Sequence, residues 1–278
     1  MPHFQCYILC VILARTQEKL FGYLANHEIG SRIFSKFEYN LYQDQKKRFS
    51  ELGLNRELAI EKLNSVLSAI YGQSYFETNG MWSEHLILFA GISESDRDVR
   101  SILEIGTFNG ETSRILSALF PNSKILTIDL KFDEILKTKM YEYETNDDRL
   151  IRNRNLNLHS LPNVNFLEMN SLELMNFNES FDLIWIDGDH SYPIASIDIA
   201  NSIRLLSPTG AAICDDVYLK ANEKSKNGRS KASISSLEAY ADAKLVEFSL
   251  IHKRIGVFFN YPPSNKKYLG FVPRKVYS

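Results

Sequence analysis

The chain has 278 residues, 44% of them hydrophobic and 24% charged, with a net charge of -2. That is long enough for one α/β domain with a helical extension, and it is the composition of a globular protein in water. A near-neutral charge excludes a general affinity for nucleic acid or anionic membrane. Cys6, Cys10 and Cys214 cannot make a disulfide framework and read as small buried side chains in a reducing cytosol. The apolar run 6–14 is too short to span a bilayer and lacks the flanks of a signal peptide. It reads as a helix packed on the protein or on a second copy. No stable membrane insertion is expected, a cytoplasmic location is, and the N-terminal helices offer a surface for a homo-oligomer.

Residues 16–71 read as helices. Leu20, Tyr23, Leu24 and His27 have helical spacing, as do Leu58, Leu63, Val66, Leu67 and Ile70 after a cap at Asn55. Between them, 36–49 reads as an amphipathic helix with Lys46, Lys47 and Arg48 on a solvated face. A loop over 72–80 shows Tyr75 and Phe76, and Ser83 then caps a helix that buries Leu86, Ile87, Phe89 and Ala90. From residue 101 the pattern alternates. Strands are predicted at 101–106, 124–130, 164–169, 181–187 and 211–215. Helices are predicted at 110–119 and 193–206, with a charged, mostly helical connection over 131–163 and a turn at 207–210. Nearly continuous apolar strands separated by helices mean a parallel sheet covered on both faces. The stretch 219–233, rich in Lys, Asn, Ser and Gly, follows a strand with a functional-looking end and reads as a mobile lid. A helix at 233–243 and two strands, 245–252 and 255–261, close the domain as an antiparallel hairpin, and a basic, proline-bearing tail follows.

The first strand runs into the turn Glu104-x-Gly106-x-x-x-Gly110. This is not the G-x-G-x-x-G of a dinucleotide site, whose glycines let backbone approach a pyrophosphate. Glu104 would repel phosphate but suits a ligand with a cationic end, such as S-adenosylmethionine. In an open parallel sheet, ligands bind at the carboxyl ends of the strands, and four of those ends carry acids: Glu104, Asp129, Asp187 with Asp189, and Asp215 with Asp216. Asp129 stands where an acid commonly holds a ribose diol. Asn170 and Ser171 could meet an adenine edge, although Asn-Ser is also ordinary turn chemistry. If the fourth and fifth strands are neighbours, their carboxylates converge and would repel one another without a cation; hard oxygen ligands favour Mg²⁺ or Ca²⁺. His190 lies beside them.

LEIGTFNGETS, TIDL, FDLIWIDGDHSYPIASIDI and GAAICDDV, in that order, resemble class I S-adenosylmethionine-dependent methyltransferases, and most nearly the metal-dependent sugar O-methyltransferase branch that includes macrocin O-methyltransferase. The resemblance implies a Rossmann-like methyltransferase fold: a mostly parallel seven-stranded sheet with a closing antiparallel hairpin, and an N-terminal helical extension. Its domains would be 1–80 for the extension, 81–262 for the methyltransferase and 263–278 for the tail. It implies that Ser83, Glu84, Glu104, Gly106, Gly110, Asp129, Ser171 and Asp187 meet the cofactor, with Glu104 near its ammonium end. Asp189, Asp215 and Asp216 would hold Mg²⁺, and Asp187 or His190 would take the proton. The implied reaction is O-methylation of a hydroxyl on a small polyol, sugar or nucleotide-sugar. A metal-independent small-molecule methyltransferase and a catalytically silent S-adenosylmethionine-binding or assembly domain are the competing readings. A nucleic-acid acceptor is not expected, although Lys220, Lys224, Lys226, Arg229 and Lys231 would suit an anionic small molecule.

Overall fold

The computed structural model of the chain describes residues 44–76, 82–131, 134, 149–217, 231–251 and 255–260. The run 6–14, the helices expected before residue 44, residues 132–133 and 135–148 of the charged connection, residues 219–230 of the basic lid and the tail lie outside the described residues. Residues 1–48 and 49–278 are two compact units. Of the first, residues 44–48 are described and are helical, with Arg48 Nε donating to Asp44 Oδ2 at 2.9 Å. All that follows concerns the second.

Helix α1 (Arg56–Tyr71) begins at its expected cap, where Asn55 Oδ1 accepts from the N–H groups of Glu57 and Leu58 at 3.1 and 3.2 Å. It ends on Gly72, whose positive φ lets the chain leave the helix. Helix α2 (Glu84–Ser93) is apolar nearly all round and is buried from Glu84 to Ile92. Then come β1 (Ser101–Ile105), α3 (Glu111–Leu119), β2 (Lys124–Asp129), α4 (Arg149–Leu158) and β3 (Val164–Glu168). A 3-10 turn (Ser171–Asn176) leads to β4 (Phe181–Ile186), α5 (Ile194–Leu205) and β5 (Leu206–Cys214), and α6 (Ala232–Asp242), β6 (Val246–Ile251) and β7 (Ile255–Asn260) complete the order.

The seven strands form one sheet in the order β3-β2-β1-β4-β5-β7-β6. Side chains alternate between two cores, as the two-residue period of a strand requires. Ile102, Ile125, Leu183, Trp185 and Ile213 pack on one face with α1, α2 and α3; Leu103, Ile105, Ile128, Ile184, Ile186 and Ala212 pack on the other with α5 and α6. The strand order reverses between β1 and β4, which opens a crevice at their carboxyl ends.

Two details differ from the sequence expectation. Residues 207–210, read as a turn, lie inside β5: Phe181 pairs with Leu206 and Leu183 with Ala211, so the strand bulges there. Ser207 Oγ donates to Asp182 Oδ1 at 2.9 Å, a tertiary bond that holds turn-like residues in the strand. In the hairpin, β7 alone runs against the sheet; β6 is antiparallel to β7 and so points the same way as β5.

Candidate active site

A cavity of about 230 Å³ opens at the switch point. Its polar lining comes from the ends of four elements: Gly106 after β1, Asp129 at the end of β2, Ser171 after β3, and Asp187 and Asp189 after β4, with Asp198 reaching in from α5. Gly106, Asp129, Ser171 and Asp187 are therefore brought together as the sequence places them.

The turn after β1 is held in a demanding shape. Gly106, Phe108 and Gly110 all have positive φ, at 99°, 47° and 76°. A Cβ on Gly106 would sit 2.2 Å from the Asp187 carbonyl oxygen, so this position requires glycine for contact as well as for φ. Phe108 has no such freedom and is locked from both sides. Its N–H donates to Asp129 Oδ2 at 2.7 Å, and its carbonyl accepts from Arg154 Nε at 2.6 Å. Arg154 Nη2 also reaches Asp129 Oδ2 at 3.3 Å, and its guanidinium lies 4.9 Å from the centre of the Phe166 ring. Gly110 caps α3, and its N–H returns to the Thr107 carbonyl at 2.8 Å. Burial pushes the Asp129 carboxyl above its ordinary range, while Arg154 and the backbone N–H groups pull it partly back.

At the ends of β4 and β5, Asp187, His190 and Asp215 each offer a ligand atom within 4.8 Å of the others. His190 Nε2 lies 3.5 Å from Asp187 Oδ1 and 3.7 Å from Asp216 Oδ2. Asp189, expected among the metal ligands, is not in this group; its Oδ1 accepts from the Ser191 N–H at 2.7 Å and its side chain lines the cavity. Asp187, expected at the proton, sits where the carboxylates converge.

Four residues expected at the cofactor do not line the cavity: Gly110, which caps α3 as described, and Glu104, Glu84 and Ser83. Glu104 is fully buried beside α3, where Oε2 accepts from Ser113 Oγ in a short bond. Burial pushes its carboxyl up to about 7, against the pull of Ser113 and Thr127. Ser113 also reaches Thr127, which pairs with Thr107 at 2.6 Å, so Glu104 supports the glycine turn from beneath. Glu84 is spent on Arg56, whose Nε and Nη2 donate to its two oxygens at 2.8 and 3.1 Å. Ser83 Oγ pairs with His85 Nδ1 at 2.7 Å, and His85 stacks on Trp185.

Two residues of the site escaped the sequence reading, Arg154 and Asp198. Each had a faint signal. Arg154 follows Leu150 by one helical turn and shares its buried face; Asp198 follows Ile194 and Ala195 in the same way on α5.

Residues 103–217, less than half the chain, match the family model described as a methyltransferase domain. No curated protein matches the chain in sequence. Among solved structures, an O-methyltransferase family protein from Burkholderia thailandensis is 13% identical with a TM-score of 0.46; the match covers 64% of this chain and only 56% of that one. The O-methyltransferase TomG from Streptomyces achromogenes, solved with S-adenosylmethionine, is 17% identical with a TM-score of 0.47, over 77% of this chain and 95% of the other. The Podospora anserina methyltransferase PaMTH1, bound to S-adenosylhomocysteine, is 15% identical with a TM-score of 0.48, over 84% and 96%. These likenesses are faint, and the functional weight rests on the family match and the geometry of the strand ends. Residues 103–217 thus resemble a methyltransferase domain, with a cavity at the strand ends, where the ligand of such a sheet binds.

Proposed function

We propose that the protein is an S-adenosylmethionine-dependent methyltransferase that transfers the methyl group to a hydroxyl of a small acceptor with the help of a divalent cation. One observation carries this reading: Asp187 lines the cavity at the strand ends and also converges with His190 and Asp215. The donor set fits a cation, because like carboxylates brought together need a counter-charge and carboxylate oxygens suit Mg²⁺ or Mn²⁺. Asp187 and Asp215 would hold it, with Asp216 beside them.

S-adenosylmethionine supplies a methyl carbon already activated by its sulfonium. A bound divalent cation supplies Lewis-acid stabilisation of a deprotonated hydroxyl. The protein supplies position and a proton acceptor. Gly106 admits backbone close to the ligand, and Asp129 meets the ribose. His190 takes the acceptor proton, and Asp187 and Asp216, 3.5 and 3.7 Å from its Nε2, stabilise the imidazolium that results. Acceptors with two neighbouring hydroxyls, as in a polyol or sugar, suit a site that grips oxygen through a cation.

A second reading keeps the same enzyme without the metal. An imidazolium at His190 would itself lie close to both Asp187 and Asp216 and offset part of their charge.

The test is a methyl-transfer assay against a panel of vicinal diols, paired with calorimetry of S-adenosylhomocysteine. Asp215 lies outside the cavity lining, so Asp215→Ala should cut turnover at least about a hundredfold and leave ligand affinity within about threefold. EDTA should do the same. Turnover that survives EDTA would select the metal-free reading, and loss of ligand binding in Asp215→Ala would sink the separation of the two roles.

A further inference from the structure

Asp198 has no place in the chemistry above, and its position is unusual. It is 1% exposed, it stands in the cavity wall, and its Oδ1 has no hydrogen-bond partner. Its Oδ2 packs against Gly188, where a Cβ would make contact at 3.4 Å. Burial pushes the carboxyl up to about 6, the Ser171 hydroxyl opposes this, and the Asp189 charge adds to it. A buried carboxylate oxygen without a donor is costly, and a ligand that brings an N–H removes that cost.

The surroundings say which ligand group. The apolar lining of the cavity includes Ile128 in β2, Leu130 just after it, Met169 after β3 and Ile194 at the start of α5. Apolar walls with an acceptor at one edge suit a flat heteroaromatic ring that carries an amino group on its rim. Asp129 stands at the same end of the sheet for the attached sugar. Building on the S-adenosylmethionine reading, we infer that Asp198 accepts a hydrogen bond from the exocyclic amine of the adenine and is the residue by which the cavity selects that base. Ser171 is its partner in the wall; the Asn170 side chain is occupied in capping the 3-10 turn, accepting from the Leu172 N–H at 3.0 Å.

The experiment is calorimetric titration of the full chain with S-adenosylhomocysteine and with its purine-riboside counterpart, which lacks only the amino group. The wild type should bind the second ligand about 10–100-fold more weakly, since the carboxylate is then left buried without a donor. In Asp198→Ala the two affinities should agree within about threefold. Asp198→Asn, which keeps an uncharged acceptor, should give an intermediate ratio and serves if the alanine variant does not fold. Equal affinities in the wild type, or an unchanged ratio in the variants, would overturn the assignment while leaving the cofactor reading intact. If the wild type binds neither ligand, the cofactor reading fails and this inference with it.

Discussion

Arg154 shows how much one side chain can organise. It bonds the Phe108 carbonyl and Asp129 together, so the positive φ of Phe108 and the orientation of the Asp129 carboxylate depend on one guanidinium. Removing it releases both. Arg154→Ala should weaken S-adenosylhomocysteine about tenfold or more, and Arg154→Lys should not restore it, because an ammonium lacks the fork that spans two acceptors. Calorimetry on both variants checks this; full rescue by lysine would reduce Arg154 to a counter-charge. Some residues of the site were legible in the sequence for equally local reasons. Gly106 was, because a glycine directly after an apolar strand announces a close approach. The face to which Glu104 turns was not, because the residue alternation of a strand does not say which side faces α3.

At the scale of elements, the strands were legible because both faces of the sheet are covered, which makes each strand an apolar run. The bulge in β5 was not, since Ser-Pro-Thr-Gly carries turn chemistry and only a distant partner keeps it in the strand. That partner, Asp182, ties together the starts of three strands. It accepts from the N–H groups of Arg100 and Ser101 at 3.0 and 3.1 Å and from the hydroxyls of Ser101 and Ser207 at 3.0 and 2.9 Å. Partial burial pushes the carboxyl up, and these bonds more than offset it, leaving it below its ordinary value of 3.8. A carboxyl whose pKa is depressed by folding stabilises the protein above its unfolded value and loses that contribution as pH falls through the folded one. Asp182→Ala should therefore cost on the order of 1 kcal/mol at neutral pH, discounted for solvent, and less in acid as pH falls below the ordinary carboxyl value. Urea unfolding at neutral pH and in acid tests this, and a loss independent of pH would point to packing instead.

For the whole molecule, the covered, mostly parallel sheet and its shared edge of acids followed from the alternation of elements; the strand order did not, and the convergence of Asp187, His190 and Asp215 depends on how two loops bend after their strands. Buried carboxyls also shape the global response to pH, Glu104 and Asp198 among them. Glu104 rises on folding from 4.5 to about 7, with burial as the main cause. The native state thus holds a proton that the unfolded chain has given up, and stability falls as pH climbs between those values. Glu104→Gln keeps the shape without the charge, so its thermal midpoint should decline less between about pH 5 and pH 8 than that of the wild type. An identical decline would place the titration elsewhere. The same carboxyl makes the protein exchange protons with its medium whenever it folds or unfolds near neutrality. The heat absorbed on melting will then depend on the buffer's own enthalpy of ionisation. Scans in phosphate and in Tris at one pH should differ in enthalpy although the transition is the same, and the gap between them counts the protons released.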